Sequence, residues 1–381
     1  MGHRIETLSV HAGKPRPSIH RAVNLPVFQS STFEYAGESH YDDILYARLS
    51  NTPNHLALNK KLATLEGGEA AIVTSSGMAA ITTALLTVLD PGTHLLAQEG
   101  LYGGTHQFIR DELTRLGVEH NWISGSDPDN WKRSLKENTR AIYVESITNP
   151  LMEVPLLEEI IAFAQENELL SIIDNTFATP VNFRPIDLGF DVVIHSATKY
   201  LNGHSDIIAG VVIGSRNQVA DIKSLLNHYG GSLDPNVCFL LDRGLKTLPL
   251  RVRFQNESAY RIAGFLKKHE AVKKVNYPGL EGSQGHRIAN SLFSGFSGML
   301  SFEMKGDADR TNRFFKRLSI PVIAPSLGGA ETLVICPAKS THLGLSESER
   351  RKLGISDSLI RVSVGLEATI DLIEDFEQAL S

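Results

Sequence analysis

The 381-residue sequence predicts an α/β protein: a mainly parallel sheet with helices on both faces, followed by a smaller α+β C-terminal domain. Three observations predict it. From residue 56, short apolar runs alternate with segments of helical period. The runs Val192–Ile194 and Leu169–Ile173 are apolar at nearly every position, as expected for strands buried on both faces. From about residue 246 the alternation weakens into mixed helices and strands.

Residues 1–55 hold turn signals, G-K-P-R-P, N-L-P-V-F and S-N-T-P-N, and no long helical period. A helix is predicted over 55–65, with Leu58, Leu62 and Leu65 on one face and Gly67-Gly68 ending it. The alternation continues with a helix over 76–89, a strand over 94–97, a helix over 105–116 and a strand over 118–123. A helix over 129–137, a strand over 141–144 and a helix over 156–167 follow, then the strands of Leu169–Ile173 and Val192–Ile194 and another over 208–213. Beyond 246 the pattern predicts helices over 258–269 and 311–318 and strands over 298–303 and 359–364. The divisions expected are 1–55, 56–245 and 246–381.

Apolar residues make up 42% and charged residues 21%, ordinary values for a globular chain. A net charge of −6 offers no electrostatic footprint for nucleic acid or an anionic membrane, and no partner of either kind is expected. No apolar run approaches a membrane span, and the N-terminus lacks a signal peptide's apolar stretch, so a cytoplasmic location is expected. The only cysteines, Cys238 and Cys336, fit no metal or redox spacing and read as free thiols in a reducing compartment. His204 and Asp206 are close in sequence without further ligands, and no metal site is expected.

The chemistry centres on F-D-V-V-I-H-S-A-T-K-Y-L-N-G-H-S-D, residues 190–206, where a strand breaks into Ser196-Ala197-Thr198 and delivers Lys199. Partial burial there lowers an amine's pKa and makes it a nucleophile toward carbonyls. A lone lysine is ordinarily a solvated surface residue; its surroundings change that. Upstream, L-L-S-I-I-D ends a second apolar strand in Asp174, a carboxylate that needs a partner if buried. A third piece, T-S-S-G-M-A-A, opens an Ala-rich helix at Ser76-Gly77-Met78, whose free N–H groups suit a phosphate. A nucleophilic lysine, an acid for a ring nitrogen and an anion cradle are what pyridoxal 5'-phosphate requires of a protein.

At S-A-T-K-Y-L-N-G-H-S-D, D-N-T-F, S-S-G-M-A-A, L-Y-G-G-T, S-I-T-N-P, R-G-L-K-T-L, Y-P-G-L, S-L-G-G and L-I-R-V-S-V-G-L-E the sequence resembles the Cys/Met-metabolism family of pyridoxal phosphate enzymes. Its members include cystathionine lyases, cystathionine gamma-synthase, methionine gamma-lyase and O-acylhomoserine sulfhydrylases. The resemblance runs from about Thr7 to the C-terminus, in family order. It implies the aspartate-aminotransferase-like fold type I of such enzymes. It also implies that Lys199 binds the cofactor covalently, Asp174 holds its ring nitrogen with Thr176 beside it, and Ser196 and Thr198 donate to its phosphate. Tyr102 would stack over the ring and serve in proton transfer, and Asn149 would offer its amide to the cofactor or the substrate carboxylate. Arg361 would clamp the α-carboxylate of an amino-acid substrate, with Ser326 helping to position that group or Lys199. From the residues alone, Arg361 reads equally as half of a structural ion pair, Tyr102 as a loop aromatic and Asn149 as a turn residue before proline.

The resemblance further makes residues 1–55 an arm reaching a neighbouring subunit, where Tyr46 and Arg48 contact the phosphate bound by the partner. A homodimer is then the least active unit and a tetramer of two such dimers the expected assembly. Acidic residues common in cystathionine gamma-enzymes are replaced here by Leu45 and Pro325, an arginine by Gln107, and the cysteine common in methionine gamma-lyases by Gly104. The expected activity is a carbon–sulfur lyase acting on cystathionine, methionine or a related thioether. A gamma-replacement enzyme using an O-acylhomoserine is the alternative, and a catalytically silent oligomeric paralogue the non-enzyme reading; retention of Lys199, Asp174, Tyr102 and Arg361 together argues against the last.

Overall fold

The computed structural model of the chain describes residues 2–340, 343 and 346–381. The alternating region builds a seven-stranded sheet from β1 (Ala70–Thr74), β2 (His94–Gln98), β3 (Glu119–Ile123), β4 (Thr139–Glu145), β5 (Leu170–Asp174), β6 (Val192–His195) and β7 (Gly210–Gly214). Their spatial order is β1-β7-β6-β5-β4-β2-β3. Only β7 runs against its neighbours, antiparallel to β1 and β6; the other pairs are parallel. Helices cover both faces, and successive residues of one strand feed opposite cores. Ile142, Val144, Ile173 and Val193 pack on the side of helix Pro53–Glu66, while Ala141, Tyr143, Ile172 and Ile194 pack on the side of helix Gly77–Val88. That two-sided burial is why these strands read as apolar runs.

The helix boundaries have local causes. Pro53 sits in the first turn of its helix, where no N–H is needed, and Gly67 ends the helix at φ +83°. Ser76 caps the next helix, its hydroxyl accepting the Ala79 N–H. The helix expected over 105–116 instead starts at Gly103 and passes through a π-helical turn, Phe108–Leu113.

The C-terminal region carries a second sheet of β8 (Val272–Asn276), β9 (Met299–Met304), β10 (Val322–Ile323), β11 (Leu333–Ile335) and β12 (Leu359–Ser363), in the order β10-β11-β12-β9-β8. All its pairs but β10–β11 are antiparallel. On β12, Ile360 and Val362 enter a core with Ala259, Ile262, Phe314 and Phe376 from the covering helices. Alternation therefore turns Arg361 and Ser363 to the opposite face, which resolves how a charge can sit mid-strand between two apolar neighbours.

The helix expected over 258–269 spans Leu248–Lys268. Its early start is hidden in L-P-L-R-V-R-F, because Pro249 reads as a breaker yet lies in the first turn. The buried Arg251 donates to the carbonyls of Tyr200 and Gly244, a use that composition does not reveal. No helix among the described residues is long and apolar enough to cross a membrane. Cys238 and Cys336 are buried and unpaired, while His204 and Asp206 each hydrogen-bond Asn202.

Candidate active site

In a parallel sheet the carboxyl ends of the strands share one edge, and ligands bind beyond it. Here β4 ends in Glu145, β5 in Asp174, and β6 runs into Ser196–Lys199. A cavity of about 320 Å³ lies at this edge. Ser76, Gly77, Met78, Ser196 and Thr198 line it, together with Tyr102, Asn149, Asp174 and Thr176. Lys199, Ser326 and Arg361 complete it, so the cavity gathers every expected site residue except Tyr46 and Arg48. A larger cleft of about 540 Å³ beside β8 contains none of them, so volume alone does not mark the site.

Lys199 Nζ donates to Ser326 Oγ at 2.7 Å. Burial, helped by the nearby Arg361 charge, pulls its pKa down to about 8. Roughly a tenth of the amine is therefore unprotonated at pH 7, the state a nucleophile or base requires, and about half at pH 8. Ser326 occupies a left-handed conformation, φ +92°, and its carbonyl accepts Arg361 Nη2 at 3.0 Å. Such a conformation costs a non-glycine residue about 1–3 kcal/mol and persists where surroundings impose it; here the two contacts to Lys199 and Arg361 do so.

Asp174 is 8% exposed, and its Oδ1 accepts the Thr176 N–H at 2.9 Å and the Thr176 hydroxyl at 2.5 Å. Thr176 Oγ1 in turn accepts the Ser196 N–H at 2.8 Å, tying the acid-bearing strand end to the lysine loop. Burial raises the Asp174 pKa against the pull of these donors. Glu145 was not expected in the site. It pairs with Asp174 in strand register, lines the cavity, and accepts the Tyr102 N–H at 2.6 Å. Burial, and then the Asp174 charge, push its carboxyl well above the usual range. Two buried acids side by side favour one proton between them. The sequence held a signal, since Glu145 ends an apolar run just as Asp174 does.

Arg361 is 3% exposed, donating to Asn149 Oδ1 at 3.1 Å as well as to Ser326. Among the described residues no carboxylate pairs with it, which disposes of the structural ion-pair reading. Burial lowers its pKa to about 10, leaving it charged at neutral pH. A buried, uncompensated guanidinium beside a cavity is a receptor for an anion. Tyr102 stands half-exposed at the rim, 44% accessible. Thr198 lines the cavity, but its hydroxyl already donates to Ala209 O at 3.1 Å. Tyr46 and Arg48 lie outside: Arg48 donates to Asn227 O at 3.1 Å and Tyr41 Oη at 2.6 Å, with its guanidinium over the Tyr46 ring.

The cradle also fits a phosphate. A Cβ on Gly77 would lie 2.8 Å from Ser196 Oγ, and one on Gly210 would lie 2.2 Å from Ser76 O. Only glycine lets these segments close around the helix N-terminus, where the Gly77 and Met78 N–H groups lack helical acceptors. An amine of lowered basicity, a buried acid and a phosphate cradle in one cavity define a pyridoxal phosphate site opposite an anion receptor.

Comparison with known proteins agrees. Residues 6–381 match the family described as Cys/Met metabolism PLP-dependent enzyme. A cystathionine beta-lyase of Lactococcus lactis is 41% identical over 377 residues, covering 99% of this chain and 98% of the relative. A cystathionine gamma-lyase of Bacillus subtilis is 39% identical, covering 98% of each chain. The solved structure of a cystathionine gamma synthase from Xanthomonas oryzae superposes with a TM-score of 0.96 at 34% identity, covering 100% of this chain and 98% of that one. The protein belongs to the Cys/Met metabolism family of pyridoxal phosphate-dependent enzymes. It is a carbon–sulfur lyase of sulfur amino-acid metabolism.

Proposed function

We propose that the protein eliminates a thiol from cystathionine or a related thioether amino acid, yielding a 2-oxo acid and ammonia. The observation that carries this reading is Arg361, a buried cation with no protein carboxylate to balance it, beside a lysine whose amine is partly free. When bound, pyridoxal phosphate supplies an electron sink for the carbanion at Cα. Arg361 and Asn149 orient the substrate carboxylate. The Lys199 amine, steered by Ser326, takes the α-proton and carries it to the departing side. Asp174, fixed by Thr176, would hold the ring nitrogen of the cofactor, while the Gly77 and Met78 N–H groups and the Ser76 and Ser196 hydroxyls would hold its phosphate. Glu145 anchors the Tyr102 backbone at the rim, where the phenol ring would cover the cofactor and its hydroxyl would serve the leaving thiol.

Around the distal part of a substrate the cavity is apolar: Ile208, Pro325 and Leu327 line it, and its only acids, Glu145 and Asp174, stand at the strand ends. A thioether with an uncharged or loosely held distal group suits it. L-Cystathionine, supplied without another nucleophile, is expected to release a keto acid identifiable by chromatography. Pyruvate with homocysteine assigns β-elimination, and 2-oxobutyrate with cysteine assigns γ-elimination. If neither forms, the lyase reading on cystathionine falls, and an O-acylhomoserine with a thiol becomes the substrate pair.

The assembly belongs to the same reading, with residues 1–55 as an arm on a neighbouring subunit, 56–245 as the cofactor domain and 246–381 as the C-terminal domain. Among the described residues, Lys199 and Arg361 are the only cations lining the cavity, and neither belongs to the phosphate cradle. Arg48 of a second copy, which in its own chain bonds the exposed Tyr41, would supply the missing charge. A sedimentation mass of twice or four times 41.8 kDa is expected, with Arg48→Ala weakening cofactor retention. A fully active monomer would overturn this. The buried free thiols suit a reducing compartment, and a cytoplasmic location is part of the reading.

A further inference from the structure

Behind Asp174 lies a buried polar cluster that the mechanism leaves unused. Glu66 ends helix Pro53–Glu66, His195 ends β6, and Asn175 follows β5; they are 1%, 2% and 0% exposed. Asn175 Nδ2 donates to Glu66 Oε1 at 2.9 Å, and His195 Nε2 donates to the same oxygen at 3.0 Å. A further bond from Asn175 Nδ2 to Phe183 O, 2.9 Å, fixes which end of the amide faces Glu66. Glu66 Oε2, His195 Nδ1 and Asn175 Oδ1 are all buried without a hydrogen-bond partner. Apolar side chains there would pack without that cost, so the polar residues have a use other than packing.

The backbone shows what they hold. By strand alternation His195 lies on the side of helix Pro53–Glu66, while Asp174 faces the other way. Asn175 adjoins Asp174, and its N–H donates to Ile194 O at 2.8 Å. His195 adjoins Ser196, whose N–H reaches the Thr176 hydroxyl that donates to Asp174. One oxygen of Glu66 thus ties together the two strand ends that carry the ring-nitrogen acid and the lysine.

We propose that Glu66, acting through His195 and Asn175, is a positioning residue that fixes Asp174 relative to Lys199 and so sets how firmly the cofactor ring is held. The inference rests on the reading of the cavity as the pyridoxal phosphate site. Its test uses Glu66→Gln, which weakens both hydrogen bonds by replacing a carboxylate acceptor with a neutral amide oxygen, and His195→Gln. Dissociation of pyridoxal phosphate, followed by absorbance, is expected to become ~10-fold easier in each, and kcat to fall ~10-fold with KM changed less than about twofold. The visible band of the bound cofactor should shift in both. Because the residues act as a unit, the double variant should be no worse than the weaker single one, and Glu66→Asp should recover part of the loss.

Loaded wild type with unchanged cofactor affinity, spectrum and kcat in both single variants overturns the inference, even if their melting temperatures fall. Should Glu66→Gln fail to fold, His195→Gln decides by the same readouts. A wild-type protein that takes up no pyridoxal phosphate overturns the reading of the cavity and this inference with it.

Discussion

Replacing Lys199 with alanine is expected to abolish covalent attachment of pyridoxal phosphate and to lower kcat by about 10⁴-fold, because in the proposed function one amine serves as anchor and as proton carrier. Mass spectrometry after borohydride reduction locates the attachment; full activity, or a reduced adduct at another lysine, would refute the assignment. The electrostatics add a second readout. With its pKa near 8 rather than 10.5, Lys199 should bind cofactor at a rate that rises with pH to a midpoint near 8. The sign for stability is opposite to that of a salt-bridged lysine. The folded state disfavours the charged amine, so the penalty is complete below pH 8 and is relieved as pH rises from about 8 toward 10.5. The cofactor-free Lys199→Ala protein should therefore be no less stable than wild type at neutral pH, and thermal melts across pH 6–10 would check it.

What could be read from the chain follows from how each residue is constrained. Lys199 and Asp174 stood out because apolar strands of a doubly covered sheet end abruptly in a charge, and the shared edge of parallel strands brings such ends together. Arg361 stood out as a charge inside an apolar strand, but its freedom from any carboxylate is a three-dimensional fact. Glu145 obeys the same strand-end rule, but no lysine or glycine-rich turn beside it marks it as part of a site. Glu66 and His195 were hidden for a different reason. On a helix whose other residues include lysines, Glu66 looks solvated, and only the packing of that helix on β1 and β7 buries it. Tyr46 and Arg48 remain at the surface of a single chain, so their role rests on the family resemblance and an assembled dimer.

Removing the charge of Arg361 should separate binding from folding. In Arg361→Gln the substrate carboxylate would lose a charged, two-pronged donor, a loss of about 2–5 kcal/mol, or roughly 30- to 5000-fold in kcat/KM, expressed mainly in KM. Arg361→Lys keeps the charge but not the planar fork and should recover only part of the loss. The melting temperature should barely fall, because no protein carboxylate is left unpaired and a buried cation that repels Lys199 has gone. A structural arginine would behave oppositely, with lost stability and an unchanged KM. There is also a coupled effect. Burial, the larger cause of the lowered Lys199 pKa, persists in Arg361→Gln, but the repulsion does not, so the midpoint for cofactor attachment should move above 8. Steady-state kinetics, calorimetry and that pH titration on one variant would test whether carboxylate recognition and lysine activation share a single guanidinium.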